Sequence, residues 1–156
     1  MRGYIVYTDG GYSASNNVGA GAYIILRDDG ETLVKQNAFI ILRETSQRAE
    51  LLAILAAMEA LPNGAHALII TDNRNAANGF GHIPKRKGKP DIDLLVEYKH
   101  VVRRKRLTIE LKWVKSHKGD PWNELCDALC TEALVLAEES QKPKPGPDPE
   151  EPVRQE

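Results

Sequence analysis

The residues best suited to chemistry in this sequence are four carboxylates, Asp9, Glu50, Asp72 and Asp127. Each is predicted where a strand ends or where a helix presents a face. Asp9 and Asp72 are expected at the ends of adjacent strands, where their negative charges repel strongly unless a divalent cation is shared between them. Carboxylate oxygens suit Mg²⁺, whereas thiolate or imidazole clusters indicate zinc. The four acids therefore predict a metal-dependent phosphoryl-transfer site.

Each acid taken alone has a simpler interpretation. Asp9 stands before two glycines and could be a turn residue, and Asp72 could be a helix N-cap. Asp127 falls away from the apolar stripe of its helix, so a solvated position explains it equally well. Glu50 is more informative, because at about 100° per residue it lies at the margin of an apolar stripe, beside Ile54. Taken together, the four acids favour a shared site.

Alternation and turn residues predict the sheet that positions these acids. Five stretches have strand character, namely residues 4–8, 19–26, 32–41, 67–71 and 108–114. Gly10 and Gly11 predict a turn that ends the first strand. The first three strands, with a hairpin turn at residues 28–30, predict an antiparallel meander. The apolar run at 67–71 is typical of a central strand that is buried on both faces.

Helices are predicted between and after the later strands. The first is capped by Thr45 or Ser46, a short second one follows Asp72, and the third covers residues 92–103. The last begins with Asp120 as its cap and Pro121 at its first position. Its apolar stripe is expected to contain Trp122, Leu125, Leu129 and Ala133. The predicted fold class is α/β, a five-stranded mixed sheet flanked by helices.

Length and composition fit one globular domain. The chain has 156 residues, of which 42% are hydrophobic and 28% charged. We expect a domain at residues 1–140 and a disordered, proline-rich tail at 141–156. Neither a signal peptide nor a run near the roughly 20 apolar residues of a membrane span is apparent. Cys126 and Cys130, one helical turn apart, predict reduced core thiols, which favours a cytoplasmic protein.

The chain is nearly neutral overall, but its basic residues are clustered. A formal net charge of −1 is not typical of a nucleic-acid-binding protein, which usually has a basic surface. Basic residues are nevertheless grouped in two runs, Lys85, Arg86, Lys87 and Lys89 in the first, and Arg103, Arg104, Lys105 and Arg106 in the second. Each run alone is typical of a solvated surface. Two runs in a chain with a carboxylate site favour contact with a phosphate backbone.

Five short blocks carry a family resemblance. They are YTDGG at 7–11, QRAEL at 47–51, ITDN at 70–73, WVKSH at 113–117 and NELCD at 123–127. In this order, and on the predicted elements, they resemble the successive motifs of type 1 ribonuclease H, also called ribonuclease HI. The similarity extends from Tyr4 to about Leu136.

The resemblance implies a ribonuclease H-like fold and a specific chemistry. Asp9, Glu50, Asp72 and Asp127 are implied to bind two Mg²⁺ ions, with Mn²⁺ as a substitute, and His117 is implied to support catalysis. Two such ions, roughly 3.5 to 4 Å apart, can stabilise both the attacking and the leaving oxygen. The expected enzyme is an endonuclease that hydrolyses the RNA strand of RNA/DNA hybrids, with little sequence preference and 5′-phosphate products.

Substrate contacts are expected near the first turn and the first helix, and across the cleft after Asp72. The residues implied are Gly10, Gly11, Asn16, Thr45, Ser46, Gln47, Asn73 and Arg74, and Asn17 competes with Asn16 for one role. An RNA/DNA hybrid is read through its minor groove, where 2′-hydroxyls mark the RNA strand. Lys85, Arg86, Lys87 and Lys89 are interpreted as a reduced form of a basic protrusion that family members carry.

Two other functions remain compatible with the sequence. A transposase or integrase domain of the same fold would use the acids to cut or join DNA, although Glu50 on a helix and the block containing His117 argue against it. A non-catalytic hybrid-binding module is the second alternative. For the ribonuclease H interpretation we expect a monomer that acts on an RNA/DNA hybrid, with no obligate protein partner and no membrane association.

Overall fold

The computed structural model describes residues 3–42, 45–81, 91–115 and 119–141. Within these ranges the elements are β1 (Gly3–Ser13), β2 (Val18–Arg27), β3 (Leu33–Leu42), α1 (Ser46–Ala60), β4 (His66–Thr71), α2 (Arg74–Gly81), α3 (Ile92–Lys105), β5 (Thr108–Trp113) and α4 (Pro121–Gln141). The sheet has five strands in the order β3-β2-β1-β4-β5. The first three are antiparallel, and β4 and β5 run parallel to β1. The predicted mixed five-stranded sheet is confirmed.

Helices cover both faces of the sheet. On one face, α1 and α3 bury a core that contains Val6 from β1 and Ile69 from β4. On the other face, α4 packs against alanines of β2, and its Cys126 and Cys130 are buried there. Both cysteines are free, as predicted. Burial raises the pKa of both thiols above its ordinary value, so they stay protonated and act as core residues.

Strand β1 does not end at its two glycines. Gly10 pairs with Gly21 and Gly11 with Ala20 of β2, so the predicted turn at this position is wrong. The glycines serve close packing instead, because a Cβ on Gly10 would lie 2.5 Å from the amide nitrogen of Glu50. Pairing between β1 and β4 stops at Thr8 and Thr71, whereas β1 itself continues to Ser13. A notch therefore opens in the sheet beside Asp9, beyond the end of β4.

Two helix caps agree with the sequence. The hydroxyl of Thr45, rather than that of Ser46, accepts a hydrogen bond of 3.2 Å from the amide of Arg48 and begins α1. Asp120 accepts hydrogen bonds of 3.1 and 3.3 Å from the second and third residues of α4, and Pro121 is the first residue, as predicted. These caps set where α1 and α4 start, and so which of their side chains face the sheet.

The apolar stripe of α4 is rotated from the predicted one. Asn123, Cys126 and Cys130 are buried, whereas Leu125 is 38% exposed, so the expected inclusion of Leu125 is wrong. The thiols of Cys126 and Cys130 lie 3.6 and 3.5 Å from main-chain oxygens of β2, a close approach that small side chains permit. No helix in the described ranges, α4 included, combines the length and apolar character needed to cross a bilayer.

A buried lysine caps the carboxyl-terminal end of α1. Lys105, at the end of α3, is only 7% exposed and donates hydrogen bonds to the main-chain oxygens of Met58, Glu59 and Leu61. The last carbonyls of a helix lack partners within the helix, and a cation is favoured beside them. This contact fixes α1 against α3 and holds the helix that carries Glu50.

Replacing Gly10 by alanine should move α1 away from β1. The added Cβ meets the backbone of Ala49 and Glu50 at 2.5 to 2.7 Å, and a backbone cannot rotate aside as a side chain can. Overpacking of this kind typically costs about 1–3 kcal/mol, and we expect a value near the top of that range. Urea unfolding of Gly10→Ala against the unmodified protein measures the free-energy difference.

Gly11→Ala is the matched control for this experiment. Its Cβ would meet the side chains of Leu134 at 3.3 Å and Cys130 at 3.5 Å, and these side chains can shift. We expect a smaller loss of stability than for Gly10→Ala. Equal losses for the two variants would show that the approach of α1 to Gly10 is less constrained than the structure indicates.

Candidate active site

Three carboxylates meet at the notch in the sheet. One carboxylate oxygen from each of Asp9, Glu50 and Asp72 lies within 4.8 Å of the other two. Asp9 comes from β1, Glu50 from the first turns of α1, and Asp72 directly follows β4. The expected adjacency of Asp9 and Asp72 is confirmed, although Asp9 lies inside β1 rather than at its end. The three acids are brought together by elements far apart in sequence.

Glu50 is the most enclosed of the three acids. Its side chain is 6% exposed, and its Oε2 atom has no hydrogen-bond partner in the described part of the chain. A buried polar atom without a partner costs free energy, and native proteins rarely leave one so. Burial, followed by the charges of Asp9 and Asp72, raises the pKa of Glu50 to about 9, despite a hydrogen bond from the Gly10 amide. A divalent cation would satisfy this oxygen.

Asp9 lies at the centre of the cluster. The amide of Gly10 donates a hydrogen bond of 3.0 Å to its Oδ1 atom. Burial, a hydrogen bond with the carboxyl group of Asp127 and the charges of Asp72 and Asp127 raise the pKa of Asp9 to about 8. Without a cation, this group therefore favours its protonated form near neutral pH. A cation would replace the proton as the source of positive charge.

Hydrogen bonds of the neighbouring residues order the turn that contains Asp72. The hydroxyl of Thr71 accepts a hydrogen bond from the amide of Asn73 at 3.1 Å, and Asn73 Oδ1 accepts one from the Ala76 amide at 2.7 Å. Asn73, and not Asp72, therefore caps α2, which leaves the Asp72 carboxylate available to the cluster. The indole Nε1–H of Trp113 donates to the main-chain oxygen of Asp72 at 3.2 Å. Burial and the charge of Asp127 raise the pKa of Asp72.

Asp127 occupies the rim of the site. It is exposed on α4 and does not belong to the three-acid group, but it is close enough to Asp9 to help raise the pKa of that acid. A partly buried contact steadies the start of the helix, since the hydroxyl of Tyr7 donates to Asp120 Oδ2 at 3.2 Å. Burial and Asp120 raise the pKa of Tyr7 to about 12, so this hydroxyl stays a donor. The sequence analysis gave Tyr7 no role in positioning the site. Its position two residues before Asp9 was the only feature of the sequence that pointed to such a role.

The predicted substrate residues lie on elements that border the notch. Thr45, Ser46 and Gln47 stand at the start of α1, and Asn73 and Arg74 at the start of α2. Thr45 and Asn73 already use their side-chain oxygens as caps. Gly10 packs beneath α1 and Gly11 beneath α4. Substrate contact by these residues stays a prediction.

Several predicted residues fall elsewhere. Asn16 is half-buried in the turn after β1, where its Nδ2 donates to Ser13 at 3.4 Å, and Asn17, at φ +50°, accepts a hydrogen bond from Tyr12. The two asparagines therefore have different hydrogen-bonding roles in the turn, Asn16 as a donor and Asn17 as an acceptor. His117 and the basic residues Lys85, Arg86, Lys87 and Lys89 lie outside the described residues.

Trp113 is a further residue that the sequence-based reasoning did not assign to the site. It ends β5, is 39% exposed and lies beneath the guanidinium of Arg74, 5.5 Å from ring centre to Cζ. In the sequence it appeared only as one apolar position of an alternating strand. Its exposure beside Asp72 could not be read from that alternation.

Comparisons with known proteins agree with this geometry. The family model described as RNase H matches residues 1–135. A Ribonuclease H from Dinoroseobacter shibae is 34% identical over 146 residues, which cover 86% of this chain and 93% of that protein. A Ribonuclease HI from Campylobacter jejuni is 34% identical over 151 residues, covering 91% of this chain and 99% of that protein.

A solved structure supports the fold. The N-terminal RNase H domain of a Mycobacterium tuberculosis protein, solved as a fusion with maltose-binding protein, superposes with a TM-score of 0.77. The match covers 91% of this chain and 100% of the other, at 20% sequence identity. The extent of the family match and the identity to these relatives confirm the resemblance seen in the five sequence blocks: the chain belongs to the RNase H family.

Proposed function

We propose that this chain hydrolyses the RNA strand of RNA/DNA hybrids and uses two divalent cations, in the first place Mg²⁺, held by its carboxylates. The observation that carries the proposal is the convergence of Asp9, Glu50 and Asp72 within 4.8 Å. Bringing two buried acids and a half-buried one so close together is unfavourable unless positive charge is supplied. Oxygen-only ligands suit Mg²⁺ or Mn²⁺. Membership of the RNase H family supports the choice of substrate.

The carboxylates have different tasks in this proposal. Asp9, whose pKa responds to Asp72 and Asp127 and which acts on Glu50, would be the central cation ligand. Glu50 and Asp72 would bind a cation together with it, and Asp127 at the rim would contribute a further ligand. When bound, the cations stabilise negative charge on the attacking and leaving oxygens. The protein keeps the ligands in place through α1 on Gly10 and through the capped turn around Asp72.

The amino-terminal ends of α1 and α2 are proposed to bind the hybrid. The amino-terminal ends of α1 and α2 present amides and polar side chains beside the notch, an environment that favours phosphate oxygens. Ser46 and Gln47 are proposed to contact the minor groove, where 2′-hydroxyls distinguish RNA from DNA and bases are not specified, and Arg74 is proposed to bind the hybrid across the cleft. His117 is proposed to move a proton or to assist product release. Cleavage should then depend little on base sequence and give 5′-phosphate products.

A cleavage assay tests the proposal directly. Labelled RNA/DNA hybrid, duplex DNA and duplex RNA are each incubated with Mg²⁺ or with EDTA. We expect loss of RNA from the hybrid only, and only with Mg²⁺. Cleavage of duplex DNA would indicate a DNA nuclease of the same fold, and binding of the hybrid without cleavage would indicate a non-catalytic module.

Asp9→Asn should abolish cleavage while leaving the fold intact. Loss of the central ligand is expected to lower the rate at least about 10²-fold, the scale seen when one group that stabilises transition-state charge is removed. In EDTA the variant should be as stable as the unmodified protein or slightly more so, because an asparagine is neutral without taking up a proton when the acidic cluster forms. Thermal unfolding in EDTA measures this, with Asp28→Asn, an exposed acid, as the control. Extensive unfolding of Asp9→Asn would show that Asp9 is structural.

The metal-free protein should lose stability as pH rises. The pKa of Asp9 is raised to about 8 and that of Glu50 to about 9, so between about pH 4 and 8 the folded state binds more protons than the unfolded state. Stability therefore falls with increasing pH across this window. Mg²⁺ competes with these protons, so it should raise the melting temperature more at about pH 8 than at about pH 5. An equal increase at both pH values would contradict a cation site formed by these acids.

Substrate binding should be sensitive to salt through the basic segment. Replacing Lys85, Arg86, Lys87 and Lys89 together by alanine should raise KM at physiological salt and reduce the dependence of affinity on salt. Each phosphate contact contributes a slope of about −0.9 in log K against log salt on duplex DNA. Lys35→Ala, at an exposed position on the edge strand β3 and outside both basic runs, is the control. An unchanged KM for the fourfold variant would exclude this role.

A further inference from the structure

Trp113 has an unusual position for a large aromatic residue. It ends β5, pairs in register with Thr71 of β4, and leaves 39% of its surface exposed. Tyr4 and Tyr23, which lie on β1 and β2 of the same sheet, are buried in its core. Exposure alone is not unusual in this sheet, since Leu42 of β3 is 62% exposed, but the indole also contacts the acidic cluster. The exposed indole beside the acidic cluster therefore suggests a task besides core packing.

The indole connects two parts of the site. Its Nε1–H donates to the main-chain oxygen of Asp72 at 3.2 Å, which fixes the plane of the ring. On the ring lies the guanidinium of Arg74, with Cζ 5.5 Å from the ring centre. A cation at this distance from an indole is attracted by the negative charge of the ring face. The indole of Trp113 is therefore hydrogen-bonded to the backbone of Asp72 and contacts the guanidinium of Arg74 with its ring face.

Arg74 is exposed and conformationally restricted, which suits the binding of an anion. It is exposed at the first position of α2, and no carboxylate among the described residues forms an ion pair with it. Its backbone is ordered by the Asn73 cap. A guanidinium stacked on an aromatic ring keeps its N–H edges free, and these edges match phosphate oxygens. Stacking also restricts a long side chain before binding, so less conformational freedom is lost when the ligand arrives.

We propose that Trp113 is a positioning residue that presents the guanidinium of Arg74 to a backbone phosphate of the hybrid beside the acidic cluster. The proposal rests on the function proposed above and adds a residue to substrate binding. Trp113 acts through Arg74 and does not take part in the chemical step. The binding energy that Arg74 contributes therefore depends on the aromatic ring beneath it.

A double-mutant cycle tests this dependence. Arg74→Ala, Trp113→Leu and the double variant are compared in the Asp9→Asn background, where hybrid affinity is measured by fluorescence anisotropy without cleavage. We expect Trp113→Leu to weaken binding about two- to fivefold, the worth of an exposed cation–π pair. Arg74→Ala should weaken binding more and reduce the salt slope by about 0.9. In the Arg74→Ala background, Trp113→Leu should have no further effect on affinity.

Steady-state kinetics separate positioning from a merely structural role. With Asp9 intact, Trp113→Leu should raise KM more than it lowers kcat, and Trp113→Phe, which keeps a ring face but loses the indole donor, should restore most of KM. Additive losses of affinity in the cycle would overturn the proposal. A fall in kcat alone, shared by the Leu and Phe variants, would also overturn it, because Trp113 would then only support Asp72.

Two controls keep the outcomes distinct. Lys35→Ala, at an exposed position on the edge strand β3 and outside both basic runs, should change neither affinity nor the salt slope. The unmodified protein is assayed for hybrid cleavage in parallel. If it cleaves no hybrid, the proposed function fails; if it cleaves hybrid and the cycle is additive, only the role of Trp113 fails.

Discussion

The close packing of α1 on β1 at Gly10 is the contact on which the acidic site depends. No side chain larger than hydrogen fits there, since a Cβ would lie 2.5 Å from the backbone of Glu50. This packing brings a helix carboxylate down to the level of the strand that carries Asp9. Beyond Thr8, the same strand has no hydrogen-bonded neighbour on its β4 side. The site therefore lies in a gap of the sheet that α1 covers, and its third acid comes from the turn that follows β4.

Such a site is unfavourable electrostatically by itself. Burial and mutual repulsion raise the pKa of Asp9 to about 8 and that of Glu50 to about 9, which means that neutral carboxyl groups are favoured when no cation is bound. The surrounding packing must therefore compensate for the site, as is common where structure is organised for catalysis. Three contacts hold the segments that carry the acids: Lys105 binds the end of α1, Tyr7 of β1 bonds to Asp120 at the start of α4, and the Asn73 cap orders the turn after Asp72.

The opposite face of the sheet contributes through small residues. Alanines of β2 meet the thiols of Cys126 and Cys130, so α4 lies close to the strands and its intervening residue, Asp127, reaches Asp9. A leucine at either cysteine position would push the helix outward. The two cysteines are therefore explained by packing next to the site, and their raised pKa makes them poor nucleophiles.

The sequence alone determined the strands, the order of elements, the family and the three acids that meet in the cluster, because alternation, caps and short motifs are local properties of the chain. Thr45, Asp120 and Pro121 were predictable for this reason. Tertiary structure decided what depends on contacts between distant segments. Gly10 looked like a turn but permits helix packing, Leu125 looked buried but faces solvent, and Trp113 lies beneath Arg74. These outcomes follow from how close two surfaces approach, and no periodicity within one segment encodes that distance.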